Sequence, residues 1–498
     1  MAGSTGISAG KTLAELGLTA QTGGNVEISG LCVDSREVKP GYLFAALPGT
    51  RIHGGTFIQY ALRMGADAIL TDREGAQIAS MELAASKASL IIAEDPRQTL
   101  AYTAALWFGV QPDVMVAITG TNGKTSVANF TRQIWELLDI AAVNLGTTGV
   151  EGAFSAPLAH TTPEPITLHR MLAKIAGAGI THAAMEASSH GLAQRRLDGV
   201  RLRAAAFTNF TQDHLDYHAS FEEYFDAKAG LFERVLPEEG VAVINIDDPR
   251  GIDICAVAEH RSIDIFRVGR ADIADIRITN QRFDATGQDL LFHCFGRSEQ
   301  VRLGLIGGFQ AENVLAAAAL AIACGEEPRE VFDVLHELRG VPGRMQLAAT
   351  RSNGAAVFVD YAHTPDAVAT ALAALRPHVM GRIVAIIGAG GDRDTTKRPL
   401  MGAAAAANAD VVIVTDDNPR SEDPAAIRKA VLGGAPEASE FGDRAEAILR
   451  GVDALGPGDA LLICGKGHET GQIIGDDILP FNDVEQASIA VGALEGSI

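Results

Sequence analysis

The stretch Val116-Ala117-Ile118-Thr119-Gly120-Thr121-Asn122-Gly123-Lys124-Thr125-Ser126 decides the fold. The apolar run Val114 to Thr119 reads as a strand. Thr125 to Ile140, with apolar groups at Val127, Phe130, Ile134 and Leu137/Leu138, reads as a helix. Between them stands a glycine loop ending in Lys-Thr. Its backbone N–H groups and the helix N-terminus suit phosphate oxygens, Lys124 suits the β/γ-phosphates, and the Thr125 hydroxyl suits Mg²⁺. The loop departs from GxxxxGK[ST], because Ile118 stands where the first glycine would be and Gly120 follows later.

The same theme recurs outward from this loop. Ala183–Met185, Ala204–Thr208 and Val241–Ile244 are strand candidates, as are Val357–Val359, Ile383–Ile387, Val411–Val414 and Leu461–Cys464. Continuous β-rich runs between helices point to parallel sheets covered on both faces. Polar, glycine-rich clusters follow these strands at 186–190, 209–218, 360–363, 390–394, 416–420 and 465–469. Open α/β sheets bind ligands at the carboxyl ends of their strands. Breaks at Gln111-Pro112-Asp113 and at Arg339-Gly340-Val341-Pro342-Gly343 divide the chain into 1–112, 113–340 and 341–498. About three domains is also what 498 residues allow. The first part is mixed α/β and less legible.

Composition narrows the classes. The chain has 41 Lys+Arg against 62 Asp+Glu, a net charge of −21, which disfavours nucleic acid or an anionic membrane as partner. A 47% hydrophobic content suffices for a sizeable core. No apolar run reaches the ~18–20 residues a membrane helix needs, and no signal-peptide pattern opens the sequence. Cys32, Cys255, Cys294, Cys324 and Cys464 are unpatterned, which suggests reduced thiols in the cytoplasm.

Several residues carry chemistry by type and spacing. Lys228 falls on the apolar stripe of a helix read as Phe221–Val235, with Phe221, Tyr224, Phe225, Leu231, Phe232 and Val235. Such a lysine either snorkels to solvent or is desolvated. A desolvated amine is neutral and nucleophilic, and with CO₂ it becomes a carboxylate-like metal ligand. Glu186 and His214 offer hard-oxygen and imidazole ligands. Mg²⁺ fits them better than zinc, since neither CxxC nor HExxH is present. In the loop Asp417-Asn418-Pro419-Arg420, Arg420 suits a carboxylate and Asp417 an amine. Arg393 adds a second carboxylate clamp and Glu469 suits a further ammonium. A plain turn explains the 417–420 loop equally well. Ser35 and Thr161-Thr162 read as turns or caps in isolation.

Taken together, these segments resemble the Mur ligase family. The carrying motifs are ITGTNGKTS at 118–126, TTP at 161–163, EASSHGLAQRR at 186–196, NFTQDHLDYH at 209–218, AENVLAAAA at 311–319, GVPGRMQ at 340–346, DYAHTPD at 360–366, GGDRD at 390–394, DDNPR at 416–420 and GKGHE at 465–469. They span nearly the whole chain in order. The resemblance implies three α/β domains: an N-terminal one for a UDP moiety, a central P-loop ATPase-like parallel sheet, and a C-terminal Rossmann-like domain for an amino acid. It implies ATP and Mg²⁺ as cofactors and a cytoplasmic monomer acting in peptidoglycan precursor synthesis. The implied reaction adds meso-2,6-diaminopimelate to the D-Glu of a UDP-N-acetylmuramoyl dipeptide through an acyl phosphate.

By the same resemblance, Val33, Ser35, Thr50, Arg51 and Ile52 contact the uridine nucleotide. Thr161, Thr162, Ser188, Gln194 and Arg196 contact the sugar-dipeptide. Gly120, Thr121, Asn122, Gly123, Lys124, Thr125, Ser126, Asn313, Arg344 and Asp360 contact ATP. Thr125, Glu186, His214 and a carbamylated Lys228 hold metal, and Lys124, Lys228, His214 and Glu186 form the catalytic set. Arg393, Asp417, Asn418, Pro419, Arg420, Gly465 and Glu469 bind diaminopimelate. Lysine-adding relatives lack the arginine of DNPR, since lysine has no second carboxylate to pair with it. A folylpolyglutamate synthase-like ligase would need neither the N-terminal segment nor DNPR. A P-loop binding protein without chemistry would not need Lys228, Glu186 and His214 together.

Overall fold

The computed structural model describes residues 10–49, 51–211, 217–218 and 220–496. The chain forms two compact units. One holds the described residues up to Ala117, then Ala141–Arg203 and Ala227–Gly240. The other holds Ile118–Ile140, Ala204–Asp226 and the described residues from Val241 onward.

The first unit opens on a four-stranded parallel sheet in the order Gly30–Cys32, Tyr42–Ala45, Ala66–Thr71, Ser89–Ile92. Its side chains alternate by strand period. Leu43, Ala45, Ala68 and Leu70 pack with Leu100 and Trp107 on one face; Phe44, Ala46 and Ile69 pack with Ile58 and Ala61 on the other. The helix Pro96–Phe108 starts where Asp95 accepts from the Arg97 and Gln98 N–H groups and stops at Gly109, φ +77°. This unit also holds the neighbouring strands His182–Glu186, Ala142–Gly146 and Gly149–Gly152, with His182–Glu186 parallel to Ala142–Gly146.

In the second unit the strand order is Arg297–Leu303, Gly287–Cys294, Ile276–Asp284, Asp264–Gly269, Val241–Asn245, Ala204–Phe207. Ala204–Phe207, Val241–Asn245 and Asp264–Gly269 are parallel, as the apolar runs predict. Beyond them the sheet departs from a purely parallel reading. Ile276–Asp284, Gly287–Cys294 and Arg297–Leu303 form an antiparallel meander. Its last hairpin turns at Phe295 and Gly296, φ +48° and +78°, the two positive angles of a type I′ turn. Leu290, Phe292 and Cys294 are buried while His293 is exposed, the alternation of a half-solvated antiparallel strand.

The second unit ends in a six-stranded sheet, Gln346–Thr350, Ala356–Asp360, Ala460–Cys464, Ile383–Ile387, Val411–Val414, Ser439–Glu440, with only the first pair antiparallel. Its faces also divide by period two. Phe358, Ala385, Ile387 and Leu462 pack with Leu372 and Met401; Val357, Val384, Ile386 and Ile463 pack with Ile448 and Val452. Val114–Thr119, Ile383–Ile387 and Val411–Val414 match their expected spans, and the other predicted strands lie within a residue of theirs at either end.

Beneath this sheet's carboxyl edge lies a buried ion pair. Arg444 Nε and Nη2 donate to the two Asp483 oxygens at 2.7 Å each, and neither side chain reaches solvent. Nη2 also donates to the Cys464 carbonyl at 2.9 Å and Nη1 to the Asp416 carbonyl at 3.3 Å, tying together two strand ends. Burial pushes the guanidinium down, but the Asp483 carboxylate outweighs it and leaves Arg444 above its ordinary value. Asp483→Ala strands a buried cation and is expected to cost about 3–5 kcal/mol in urea unfolding. A loss below about 1 kcal/mol, the range of an exposed pair, would contradict this burial.

Candidate active site

The helix after the glycine loop is Lys124–Leu137, a residue earlier at its start and three shorter at its end than its periodicity suggests. Gly120 has φ +143°, and a Cβ there would stand 1.9 Å from Thr208 Oγ1, so only glycine fits. The loop is held from the strand end beside it. Thr121 N–H donates to the Asn209 carbonyl at 2.9 Å, and Asn122 N–H to Asn209 Oδ1 at 2.8 Å. Thr121 Oγ1 accepts from Thr211 N–H at 3.0 Å and lies 3.2 Å from the Tyr224 hydroxyl. Thr208 Oγ1 donates to the Asn122 carbonyl at 2.5 Å. Lys124 Nζ folds back onto the Gly120 and Thr121 carbonyls, 2.8 Å each, and so sits at the mouth of its own loop.

The other predicted nucleotide contacts gather around this loop. Asn313 Oδ1 lies 2.7 Å from where a Cβ on Gly123 would stand. Arg344 Nη2 donates to Thr125 Oγ1 at 3.4 Å, and its guanidinium lies over the Tyr361 ring at 4.5 Å. Asp360 accepts from Met345 N–H at 2.7 Å and Ala362 N–H at 2.8 Å. Burial raises its carboxyl above the ordinary value, against the pull of Arg344 and these two N–H groups. Thr208, Asn209, Thr211 and Tyr224, which fix the loop's shape, were not among the expected site residues. For Asn209 and Thr211 the signal was present, since the 209–218 cluster follows a strand.

In the first unit, Glu186 ends its strand and is 2% exposed. Its Oε1 accepts from Thr147 N–H at 2.8 Å and its Oε2 from Thr147 Oγ1 at 3.2 Å. Thr161 Oγ1 is 3.1 Å from Thr147 Oγ1, and Thr162 Oγ1 donates to the Glu186 carbonyl at 2.9 Å. Ser188 N–H donates to Thr162 Oγ1 at 3.1 Å, and the Ser188 hydroxyl caps the helix Ser189–Ala193. Arg196 Nη1 donates to the Thr162 carbonyl at 2.5 Å, and its Nη2 to Gln194 Oε1 at 2.8 Å. These expected dipeptide contacts therefore form one connected group around Glu186.

Lys228 lies in the helix Phe221–Gly230, which widens into a π-helical turn at Leu231–Val235. The residue is 1% exposed, so its ammonium end does not snorkel to solvent. Asp34 caps the short turn that contains Ser35, and Val33 and Ile52 are exposed apolar side chains. Thr50 and His214 lie outside the described residues.

The loop expected to bind an amino acid, at 417–420, belongs to the second unit. A Cβ on Gly390 would stand 2.8 Å from Arg420 Nη1 and 3.8 Å from Arg393 Cγ, so the Arg420 guanidinium and the base of the Arg393 side chain both lie beside this glycine. Arg420 Nη1 donates to the Gly391 carbonyl at 2.7 Å, while Arg393 is exposed. Arg420 holds φ +50° because its backbone pairs with a hairpin of Gly471–Ile474 and Asp477–Pro480. Its N–H donates to the Ile473 carbonyl at 3.0 Å and its carbonyl accepts from Gly475 N–H at 2.7 Å. Gln472 Nε2 donates to the Asp417 carbonyl at 2.7 Å. Asn418 Nδ2 donates to Glu469 Oε2 at 2.8 Å, joining the tips of two strands. The hairpin escaped the sequence reading because its exposed residues carry no apolar alternation. Arginines and carboxylates converge here, the complement of a ligand with both signs of charge.

Comparison with known proteins gives the family. Three family profiles match in order: "Mur ligase family, catalytic domain" over 27–107, "Mur ligase middle domain" over 118–321, and "Mur ligase, glutamate ligase domain" over 343–467. The chain is 46% identical over 473 residues to the UDP-N-acetylmuramoyl-L-alanyl-D-glutamate--2,6-diaminopimelate ligase of Brucella melitensis, covering 94% of this chain and 95% of that one. It is 48% identical over 474 residues to the protein of the same name from Bradyrhizobium diazoefficiens, covering 94% and 96%. A solved structure of a ligase of that name superposes with a TM-score of 0.69 at 34% identity, covering 94% of this chain and 96% of that one. An ADP complex of MurF from Thermotoga maritima, at 18% identity and a TM-score of 0.59 over 94% and 98%, shares the fold. The three-domain α/β architecture and these near full-length likenesses leave one assignment: the chain belongs to the Mur ligase family.

Proposed function

We propose that this chain is an ATP-dependent amide ligase that adds meso-2,6-diaminopimelate to the D-Glu of UDP-N-acetylmuramoyl-L-alanyl-D-glutamate. The observation that carries the reading is the Arg420 guanidinium beside Gly390, with the Arg393 side chain starting from the same place, in a chain 46% identical over 473 residues to a ligase of that name. L-lysine has no second carboxylate for a guanidinium group to hold.

A carboxylate is a poor electrophile, so the D-Glu oxygen first attacks the γ-phosphorus of ATP and ADP leaves. The amine of diaminopimelate then attacks the acyl-phosphate carbon, phosphate leaves with the bonding pair, and the amine loses a proton. Positioning and charge neutralisation are what the protein contributes. The loop N–H groups at 120–126 and Lys124 hold the phosphates; Lys124 exchanges its two loop carbonyls for phosphate oxygens. Asn313, Arg344 and Asp360 complete the nucleotide contacts. Val33, Ser35, Thr50, Arg51 and Ile52 serve the uridine end, and Thr161, Thr162, Ser188, Gln194 and Arg196 the sugar-dipeptide. Asp417, Asn418, Pro419, Arg420, Gly465, Arg393 and Glu469 seat diaminopimelate.

Mg²⁺ suits the donors available. Among the described residues no three of His, Cys, Asp or Glu cluster tightly enough to cage a metal. A threonine hydroxyl and one buried carboxylate fit a cation that keeps waters and phosphate oxygens in its shell. Thr125, Glu186, His214 and carbamylated Lys228 would hold it, and bound there it would neutralise charge on the transferring phosphoryl group. The three domains correspond to 1–112, 113–340 and 341–498. All substrates are free small molecules, and among the described residues no helix is long and apolar enough to cross a membrane. The reading puts the chain in the cytoplasm as a monomer.

Phosphate release tests the function. With ATP it is expected to require both the UDP-dipeptide and meso-diaminopimelate, one phosphate per amide formed, and to be at least tenfold slower with L-lysine. Release at full rate without either partner, or an equal rate with lysine, overturns it.

A further inference from the structure

Lys466 is a charged side chain with no solvent exposure at all, and the mechanism above does not use it. It follows the strand Ala460–Cys464 between two glycines, both in positive-φ backbone: Gly465 at +114° and Gly467 at +55°. A Cβ at Gly465 would stand 2.3 Å from Asp417 Oδ2, and one at Gly467 2.7 Å from Tyr361 Cβ. The backbone thus passes tight against two other loops, and the lysine turns inward between them.

Its Nζ donates to Asn418 Oδ1 at 2.9 Å and to Glu469 Oε2 at 3.2 Å. Asn418 Nδ2 closes the triangle on the same Glu469 oxygen at 2.8 Å. Asn418 Oδ1 also accepts from Ile473 N–H at 2.9 Å. The ammonium therefore fixes the amide of Asn418, with its oxygen towards Lys466 and its nitrogen towards Glu469. Half of the Glu469 carboxylate is committed to the triangle, and among the described residues its Oε1 makes no hydrogen bond, so it remains available to a ligand ammonium.

We infer that Lys466 is a positioning residue for amino-acid selection: its buried ammonium locks Asn418 and Glu469, from two different strand ends, into the arrangement that receives the substrate's ammonium group. Its bonds run to Asn418 and Glu469, and it acts through them. Its role rests on the reading of the 417–420 loop as the diaminopimelate site and deepens that reading. A neutral side chain would leave the half-buried Glu469 carboxylate without its countercharge and the Asn418 amide without a preferred orientation.

Lys466→Met keeps the chain length and removes the charge. It is expected to raise KM for meso-diaminopimelate at least tenfold, with KM for ATP and for the UDP-dipeptide within twofold. Lys466→Arg, which restores a cation, is expected to recover part of that loss. A structural role alone would move all three KM values together or lower only the amount of folded enzyme. Either result, or an unchanged KM for diaminopimelate, overturns the inference. If Lys466→Met does not fold, Lys466→Arg carries the test: its planar head cannot reproduce both contacts, so the split between KM values must persist in reduced form. The parent reading fails separately, if the unaltered chain shows no turnover with meso-diaminopimelate.

Discussion

Lys228→Ala is expected to lose activity by on the order of 10²-fold or more, and to regain part of it when formate or acetate is added. The residue is 1% exposed and its helix neighbours Tyr224, Ala229, Leu231 and Phe232 are buried as well. Taking an amine out of water disfavours its protonated form, and only the neutral amine can add to CO₂. The nitrogen lone pair forms the N–C bond, one proton leaves, and the neutral amine becomes an anionic carbamate. That anion is the ligand proposed for Mg²⁺ beside the phosphates. A cavity of lysine shape, with its anion deleted, can accept a small carboxylate, which explains the partial rescue. Lys228→Arg keeps a cation but cannot make the carbamate, so it is expected to be as inactive as the alanine variant and less easily rescued. Full activity of Lys228→Ala without any additive would falsify the role.

The same residue shows where sequence pattern stops being informative. Helical spacing placed Lys228 on the apolar stripe but left snorkelling and burial open, because a long side chain can satisfy either. Only the packing of the segment resolves this. The strands at 383–387 and 411–414 were legible because buried parallel strands are continuous apolar runs with glycine or polar stops. The meander at 276–303 was not, since half-solvated strands carry charges on alternate positions and look like loops. Fully buried charges were the other blind spot. Lys466, Arg444 and Asp483 are 0–1% exposed, yet by composition they count as surface residues. Their partners lie 39 residues apart for Arg444 and Asp483, and 48 apart for Lys466 and Asn418, distances no local pattern spans. The glycine loop, by contrast, was readable from eleven consecutive residues, because the chemistry proposed for it is performed mainly by backbone.

Arg420→Ala is expected to raise KM for meso-diaminopimelate by ~10²-fold, about 3 kcal/mol for a lost charge-assisted contact, while KM for ATP stays within twofold. The selectivity arises from how the residue is held. Its backbone at φ +50° is fixed by bonds from its own N–H and carbonyl to the hairpin at Ile473 and Gly475, and alanine can make both. Left-handed backbone strains any residue with a Cβ, so the cost is common to arginine and alanine and cancels. What alanine lacks is the guanidinium, together with its 2.7 Å bond to the Gly391 carbonyl. Losing that bond frees the neighbouring loop at one end, but Asp392 still accepts from Ser421 Oγ at 2.6 Å and keeps it in place. The substrate's second carboxylate is then left facing Arg393 alone. L-lysine has no such carboxylate and loses nothing, so the preference for diaminopimelate over lysine is expected to shrink by the same factor as KM rises. An equal loss towards ATP and towards the amino acid would instead mean that Arg420 supports the fold of the loop, and would remove the physical basis for choosing diaminopimelate over lysine.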